Sequence, residues 1–219
     1  MTGTDGAAVS GTENLWQKTT VAAGITLAVY LALFFWVDRA VDLWVHQHWA
    51  ATWVFQAGTY ISYAAKGSYF RLGLALGFVL ILIVDPGLNR GWTKGLLYVC
   101  TTGAVAIIIG EGWKYLLGRY RPVMLFEHNL YGLHFLSSKW ALNSTPSGHT
   151  LRAFSLLTAL SLLWRRGAVV FLSLATLIGV SRVVVTAHYP SDVLFGAFIG
   201  IFTALWAYQY FFITEKADK

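Results

Sequence analysis

Six apolar runs, each near the length of a bilayer crossing, dominate this chain of 219 residues. A helical crossing takes about 20 apolar residues at a rise of about 1.5 Å each. Thr19–Val37, Gly95–Trp113, Ala168–Val185 and Val193–Ile213 reach that length directly. Leu72–Val84 reaches it if its helix begins near Lys66, and Thr150–Trp164 once Ser147–His149 are included. The pattern predicts an all-α integral membrane protein, a bundle of six transmembrane helices. Only 12% of the residues are charged, against about 25% in a soluble domain. That excludes a disordered chain and argues against a soluble monomer. Charges that survive in such a chain have specific work to do. The ten tryptophans suit two water–lipid interfaces. The single cysteine, Cys100, excludes an intramolecular disulfide and any multi-Cys metal site.

Residues 1–14 are small and polar and read as a disordered tail, residues 15–213 as one domain, and residues 214–219 as a charged tail. The first apolar run starts late and is long enough to span, so it is expected to be retained and not cleaved as a signal peptide. Residues 38–63 mix Trp44, Trp49, Trp53 and Phe55 with Asp42, His46 and His48. Trp49 and Trp53, four apart, would share a helix face, so this segment reads as a helix lying in the interface; a loop with anchoring tryptophans is the alternative. Gly73/Gly77 and Gly196/Gly200 are GxxxG pairs that permit close helix contact.

Six crossings put both termini on one side, with seven basic residues there and nine on the other. Three segments meet at crossing ends on that second side. They are Lys114 to Arg121-Pro122, Pro146-Ser147-Gly148-His149, and Ser181-Arg182 with His188 and Asp192. Lys114, Arg121 and Arg182 at one membrane depth would repel one another, so they need a dense anion, and phosphate fits. Ser147-Gly148 precedes a helix whose first N–H groups and dipole favour an anion. His188 and Asp192, four apart, allow the carboxylate to fix the imidazole tautomer and leave the other ring nitrogen as a nucleophile. His149 is then available as general acid.

The three segments resemble the signature of the type 2 phosphatidic acid phosphatase superfamily: K-x6-R-P, P-S-G-H and S-R-x5-H-x3-D, matched at every fixed position. The resemblance implies that His188 forms a phosphohistidine, Asp192 supports it, and His149 protonates the leaving group. It implies that Lys114, Arg121, Arg182, Ser147 and Gly148 hold the phosphoryl oxygens. No metal or other cofactor is implied. The six apolar runs point to the integral membrane lipid phosphatases of the superfamily, and the small size to a bacterial cytoplasmic membrane. The substrate would be undecaprenyl diphosphate, phosphatidylglycerophosphate, phosphatidic acid or the lipid A 1-phosphate, entering sideways from the bilayer. The same residues would serve a phosphotransferase, and a lipid-binding or transport bundle is a third reading. Nucleic acid is not an expected partner, and the sequence does not indicate the oligomeric state.

Further polar residues lie beside the motifs. Glu111, three before Lys114, is expected to pair with it or to orient it. Arg119 is an extra cation, expected to support the site residues or to contact a head group. Arg152, one turn after His149, faces a second phosphate, a head group or a bilayer phosphate. His46, His48, His128 and His134 are expected in solvated segments, and Cys100 in packing. Setting aside Lys114, Arg119, Arg121, Arg152 and Arg182 leaves four basic residues outside against seven inside, which places the termini in the cytoplasm.

Overall fold

The computed structural model describes residues 4–63 and 65–214; the regular structure among them is helical, apart from one isolated bridge between Arg119 and Leu133. Nine α-helices are formed among these residues. They are α1 (Thr4–Ala32), α2 (Asp38–Trp49), α3 (Trp53–Tyr63), α4 (Gly67–Val84), α5 (Gly91–Leu117), α6 (Pro122–His128), α7 (Gly148–Leu163), α8 (Ala168–Val184) and α9 (Pro190–Tyr208).

Among the described residues, five stretches are long and apolar enough to cross a membrane: Glu13–Trp49, Trp53–Val84, Gly91–Leu117, Arg165–Val184 and Pro190–Ile213. The chain is a multi-pass membrane protein. The remaining apolar helix, α7, has 16 residues, about 24 Å of rise, and is the most enclosed element. It packs against α5, α8 and α9, and Thr150, Ser155, Thr158, Ala159 and Ser161 on it are buried. Small side chains let neighbouring backbones approach closely where lipid gives no hydrophobic drive.

Three expectations from sequence are revised. Helix α1 begins at Thr4, inside the segment read as a tail, because extending an existing helix is far easier than starting one. Residues 1–3 and 215–219 lie outside the described residues. The interfacial segment is two helices. α1 continues through a π-helical turn, Leu33–Val37, into α2, and the chain turns at 50–52 before α3. Trp49 and Trp53 therefore sit on different helices. The two GxxxG pairs also differ. A Cβ on Gly196 would lie 2.8 Å from Ser147 O, and one on Gly200 2.7 Å from Leu151 O, so α9 rests directly on the α7 backbone. Gly77 abuts Cys100, whereas Gly73 meets nothing. Gly200→Val should destabilise the bundle by about 1–3 kcal/mol through forced separation of α7 and α9. Gly73→Ala should leave the thermal midpoint in detergent unchanged; equal midpoints for both variants would contradict this packing.

The α4–α5 turn is closed by Asp85. Its carboxylate accepts hydrogen bonds from the Thr93 hydroxyl (2.5 Å) and the Arg90 and Asn89 N–H groups (2.8 and 3.0 Å), which hold its pKa at about 2.

Candidate active site

Helix α5 ends where Gly118 takes a left-handed conformation (φ 51°), with its N–H on Lys114 O. A side chain there would collide with the His134 backbone. The chain then enters the bundle at Arg119, leaves at Arg121, and starts α6 with Pro122 at its first turn. The long connection from α6 to α7 folds back over the end of α5. Tyr120 N–H bonds Gly132 O, Leu136 N–H bonds Leu116 O, Ser137 N–H bonds Tyr115 O, and Ser144 N–H bonds Arg119 O. This return brings Ser144 and Pro146 to the mouth of α7.

The ends of α5, α7 and α8, the start of α4 and the residues before α9 enclose one cavity of about 600 Å³. Lys114, Arg121, Gly148, His149, Arg182 and His188 line it, joined by Arg71, Glu111 and Arg152. All three motifs thus reach one space. Lys114 Nζ donates to Glu111 Oε1 at 2.6 Å. Arg121 is held by the carbonyls of Trp140 (2.9 Å), Asn143 (3.2 Å) and Ala187 (3.4 Å), with its guanidinium over the Trp140 ring. Burial lowers its pKa only to about 10, so it remains a cation at neutral pH. Arg182 donates to the Ser62 hydroxyl and Arg152 to Ala65 O.

His188 is almost fully buried, and its Nδ1 lies 2.7 Å from Ser144 O. A carbonyl can only accept, so Nδ1 carries the proton and the Nε2 lone pair is free. Burial, reinforced by the positive charges of Arg121 and Arg182, pushes the ring pKa down to about 3. His188 is therefore neutral at physiological pH.

Two of the motif residues expected to bind or catalyse stand behind the cavity and do not line it. Asp192, expected on the His188 ring, lies 3.8 Å from Nδ1, beyond a hydrogen bond. Its Oδ2 accepts from Ser144 Oγ (2.6 Å) and Tyr189 N–H (3.0 Å), and Oδ1 from Arg119 (2.6 Å). Ser144 carries the connection, with its hydroxyl on Asp192 and its carbonyl on His188. Ser147 is fully buried. Its N–H is spent on Asp192 O (3.0 Å) and its Oγ accepts from Thr150 (3.0 Å). Ser147 ties α7 to α9, and Gly148 alone of that pair reaches the cavity.

Arg119 is not at the head-group surface. It is fully buried between two carboxylates, Asp38 (2.7 Å) and Asp192 (2.6 Å). Ser191 and Tyr131 also accept from it, and the Tyr189 ring lies 4.2 Å from its Cζ. Asp38 in turn accepts from Ser191 N–H (3.1 Å) and Oγ (2.5 Å). Sequence reasoning missed Asp38, Ser144 and Tyr189. Only Asp38 carried a signal, as a carboxylate placed directly after the first apolar run. His46, His48, His128 and His134 do not line the cavity; His46 stacks on Phe126.

The family profile of the PAP2 superfamily matches residues 95–216. The chain is 36% identical over 114 residues to a lipid A 1-phosphatase of Rhizobium etli, covering 52% of this chain and 49% of that relative. It is 31% identical over 147 residues to the bacitracin transport permease protein BcrC of Bacillus licheniformis, covering 64% of this chain and 66% of that one. The chain thus spans about half the length of the first of these relatives and 66% of the second. In three dimensions it is similar to the crystal structure of a transmembrane PAP2-type phosphatidylglycerolphosphate phosphatase from Bacillus subtilis. The TM-score is 0.57, at 17% identity, over 88% of this chain and 95% of that one. With a profile match across more than half its length, running from α5 through α9, the chain belongs to the PAP2 superfamily.

Proposed function

We propose that this protein is a membrane lipid phosphatase that cleaves a phosphate mono- or diphosphate ester through a phosphohistidine on His188. The observation that carries this is the neutral, Nδ1-protonated His188 in a cavity lined by Lys114, Arg121 and Arg182. His188 Nε2 attacks phosphorus while the three cations stabilise charge on the equatorial oxygens. His149 gives a proton to the leaving oxygen, then takes one from the water that hydrolyses the phosphoenzyme. Asp192 acts through Ser144, which holds the His188 ring in orientation. No step requires a metal.

The proposed topology has six crossings, with α7 as a short, enclosed fourth one and residues 15–213 as a single domain. The termini are cytoplasmic and the site faces the outer side of a bacterial inner membrane. The head group then sits near the surface, avoiding the cost of a charge at the bilayer centre, and the tail enters sideways from lipid. The test is phosphate release by purified protein, in nonionic detergent with EDTA. The four lipids are undecaprenyl diphosphate, phosphatidylglycerophosphate, phosphatidic acid and lipid A, compared by kcat/KM. Turnover of at least one is expected. No turnover of any, or label passing to an acceptor lipid with little free phosphate, would overturn hydrolysis.

A further inference from the structure

The motif cations account for one phosphoryl group, yet the cavity holds more positive charge than that. Arg71, Lys114, Arg121, Arg152 and Arg182 face a single carboxylate, Glu111. A phosphomonoester brings a charge of only about −2. The surplus lies on the α4 side. A Cβ on Gly67 would lie 3.3 Å from Arg71 Nη1 and 3.4 Å from Arg152 Cζ. A Cβ on Gly148 would lie 3.1 Å from Lys114 Nζ and 3.2 Å from Arg152 Nη1. The Arg152 guanidinium therefore sits between two other cations, across space that only glycine leaves open.

Arg152 is nine-tenths buried. Its Nε and Nη2 both point to Ala65 O, and Nη1 has no acceptor among the described residues. Arg71 forms no ion pair among them. Like charges gathered this closely, with unspent donors, are a site for a further anion. The reacting phosphoryl belongs beside His188, with Arg121 and Arg182; the Arg152 guanidinium is set toward Gly67 and Arg71, at the α4 wall of the same cavity.

We infer that Arg71 and Arg152 form a second phosphoryl subsite, which makes a lipid diphosphate the favoured substrate class. This rests on the proposed hydrolase reading. The terminal phosphoryl lies at His188 and the lipid-proximal one on Arg71 and Arg152. The bond between the terminal phosphorus and the bridging oxygen breaks, and phosphorus bonds to His188 Nε2. The lipid monophosphate leaves with the proton from His149, and water then releases orthophosphate.

The test compares a polyprenyl diphosphate with the monophosphate of the same chain, in phospholipid-free nonionic detergent. Arg71→Gln is exposed and disturbs no internal bond, while Arg152→Lys keeps the charge and loses the fork. Each should lower the diphosphate-to-monophosphate ratio of kcat/KM by about 10- to 100-fold, the scale of a charge-assisted hydrogen bond. Calorimetry with inorganic pyrophosphate and orthophosphate should show tighter pyrophosphate binding by wild type, and loss of that preference in Arg71→Gln. Unchanged ratios and an unchanged anion preference would overturn the subsite, even if both lipids are hydrolysed. A protein that binds pyrophosphate through Arg71 yet hydrolyses neither lipid keeps the subsite and refutes the hydrolase. If the pair instead holds a neighbouring lipid's phosphate, added phosphatidylglycerol raises both activities equally and the ratio does not move, which also overturns the proposal.

Discussion

His188→Ala is expected to reduce phosphate release by about four orders of magnitude or more, the scale on which removal of a covalent nucleophile acts. The folded protein should persist, because the ring makes one hydrogen bond, to Ser144 O. Losing that donor leaves a buried carbonyl unsatisfied, at a cost of about 1–3 kcal/mol. Acid quench of wild type with labelled substrate should trap an acid-labile, base-stable phosphoenzyme that His188→Ala lacks. His149→Ala should behave differently. It should lose most activity on lipid esters, whose alkoxide needs a proton, and much less on p-nitrophenyl phosphate, whose leaving group does not. Full activity of His188→Ala on the lipid would remove the mechanism. Because His188 has a pKa of about 3, its protonation cannot supply an acid limb of kcat/KM above about pH 4. Any limb nearer neutrality belongs to the substrate or to another group.

Arg119→Met should lower the thermal midpoint in detergent by roughly 6–20 °C, from about 3–5 kcal/mol for a broken buried pair and about 2–4 °C per kcal/mol at this size. The loss comes from the carboxylates left behind. Asp38 and Asp192 are both fully buried, and without the guanidinium each keeps only N–H and O–H donors. Activity should fall as well, since Asp192 then loses the group that fixes its Oδ1. Adding Asp38→Asn to Arg119→Met should recover part of the stability, because one of the stranded charges is gone. A single variant that melts within about 2 °C of wild type would show that the cation is not what holds these elements together.

Much of the helix layout and the whole set of motif positions were legible in the sequence, for different reasons. Apolar runs such as Ala168–Val185 report a local property, so α8 was found within a residue or so of its ends. The motifs are short patterns at span ends, and alternation of direction brings them together without knowledge of packing. What escaped was whatever depends on contacts between distant segments. Asp38 and Arg119 are 81 residues apart, and nothing in either neighbourhood names the other. Asp192 at four residues from His188 suggested a direct contact. The turn into Pro190 lifts the ring toward Ser144, contributed by the long connection from another part of the chain. Ser147 shows the reverse case: a residue inside a motif whose donors are consumed by the fold before any ligand arrives.

The π-helical turn at Leu33–Val37 sets the rotational phase of α2 relative to α1. Successive residues of an α-helix are turned by about 100°, and a wide turn changes that phase between the helix before it and the helix after. Phe35 and Trp36 are exposed while Asp38 and Asp42 are fully buried. One continuous rod therefore shows lipid an aromatic surface at its waist and, two residues later, delivers a carboxylate to the interior. Without the wide turn, Asp38 would be rotated away from Arg119 and toward the hydrocarbon, where a carboxylate is costly. The first helix can thus serve as a membrane anchor and a wall of the polar centre because its two halves are slightly out of step.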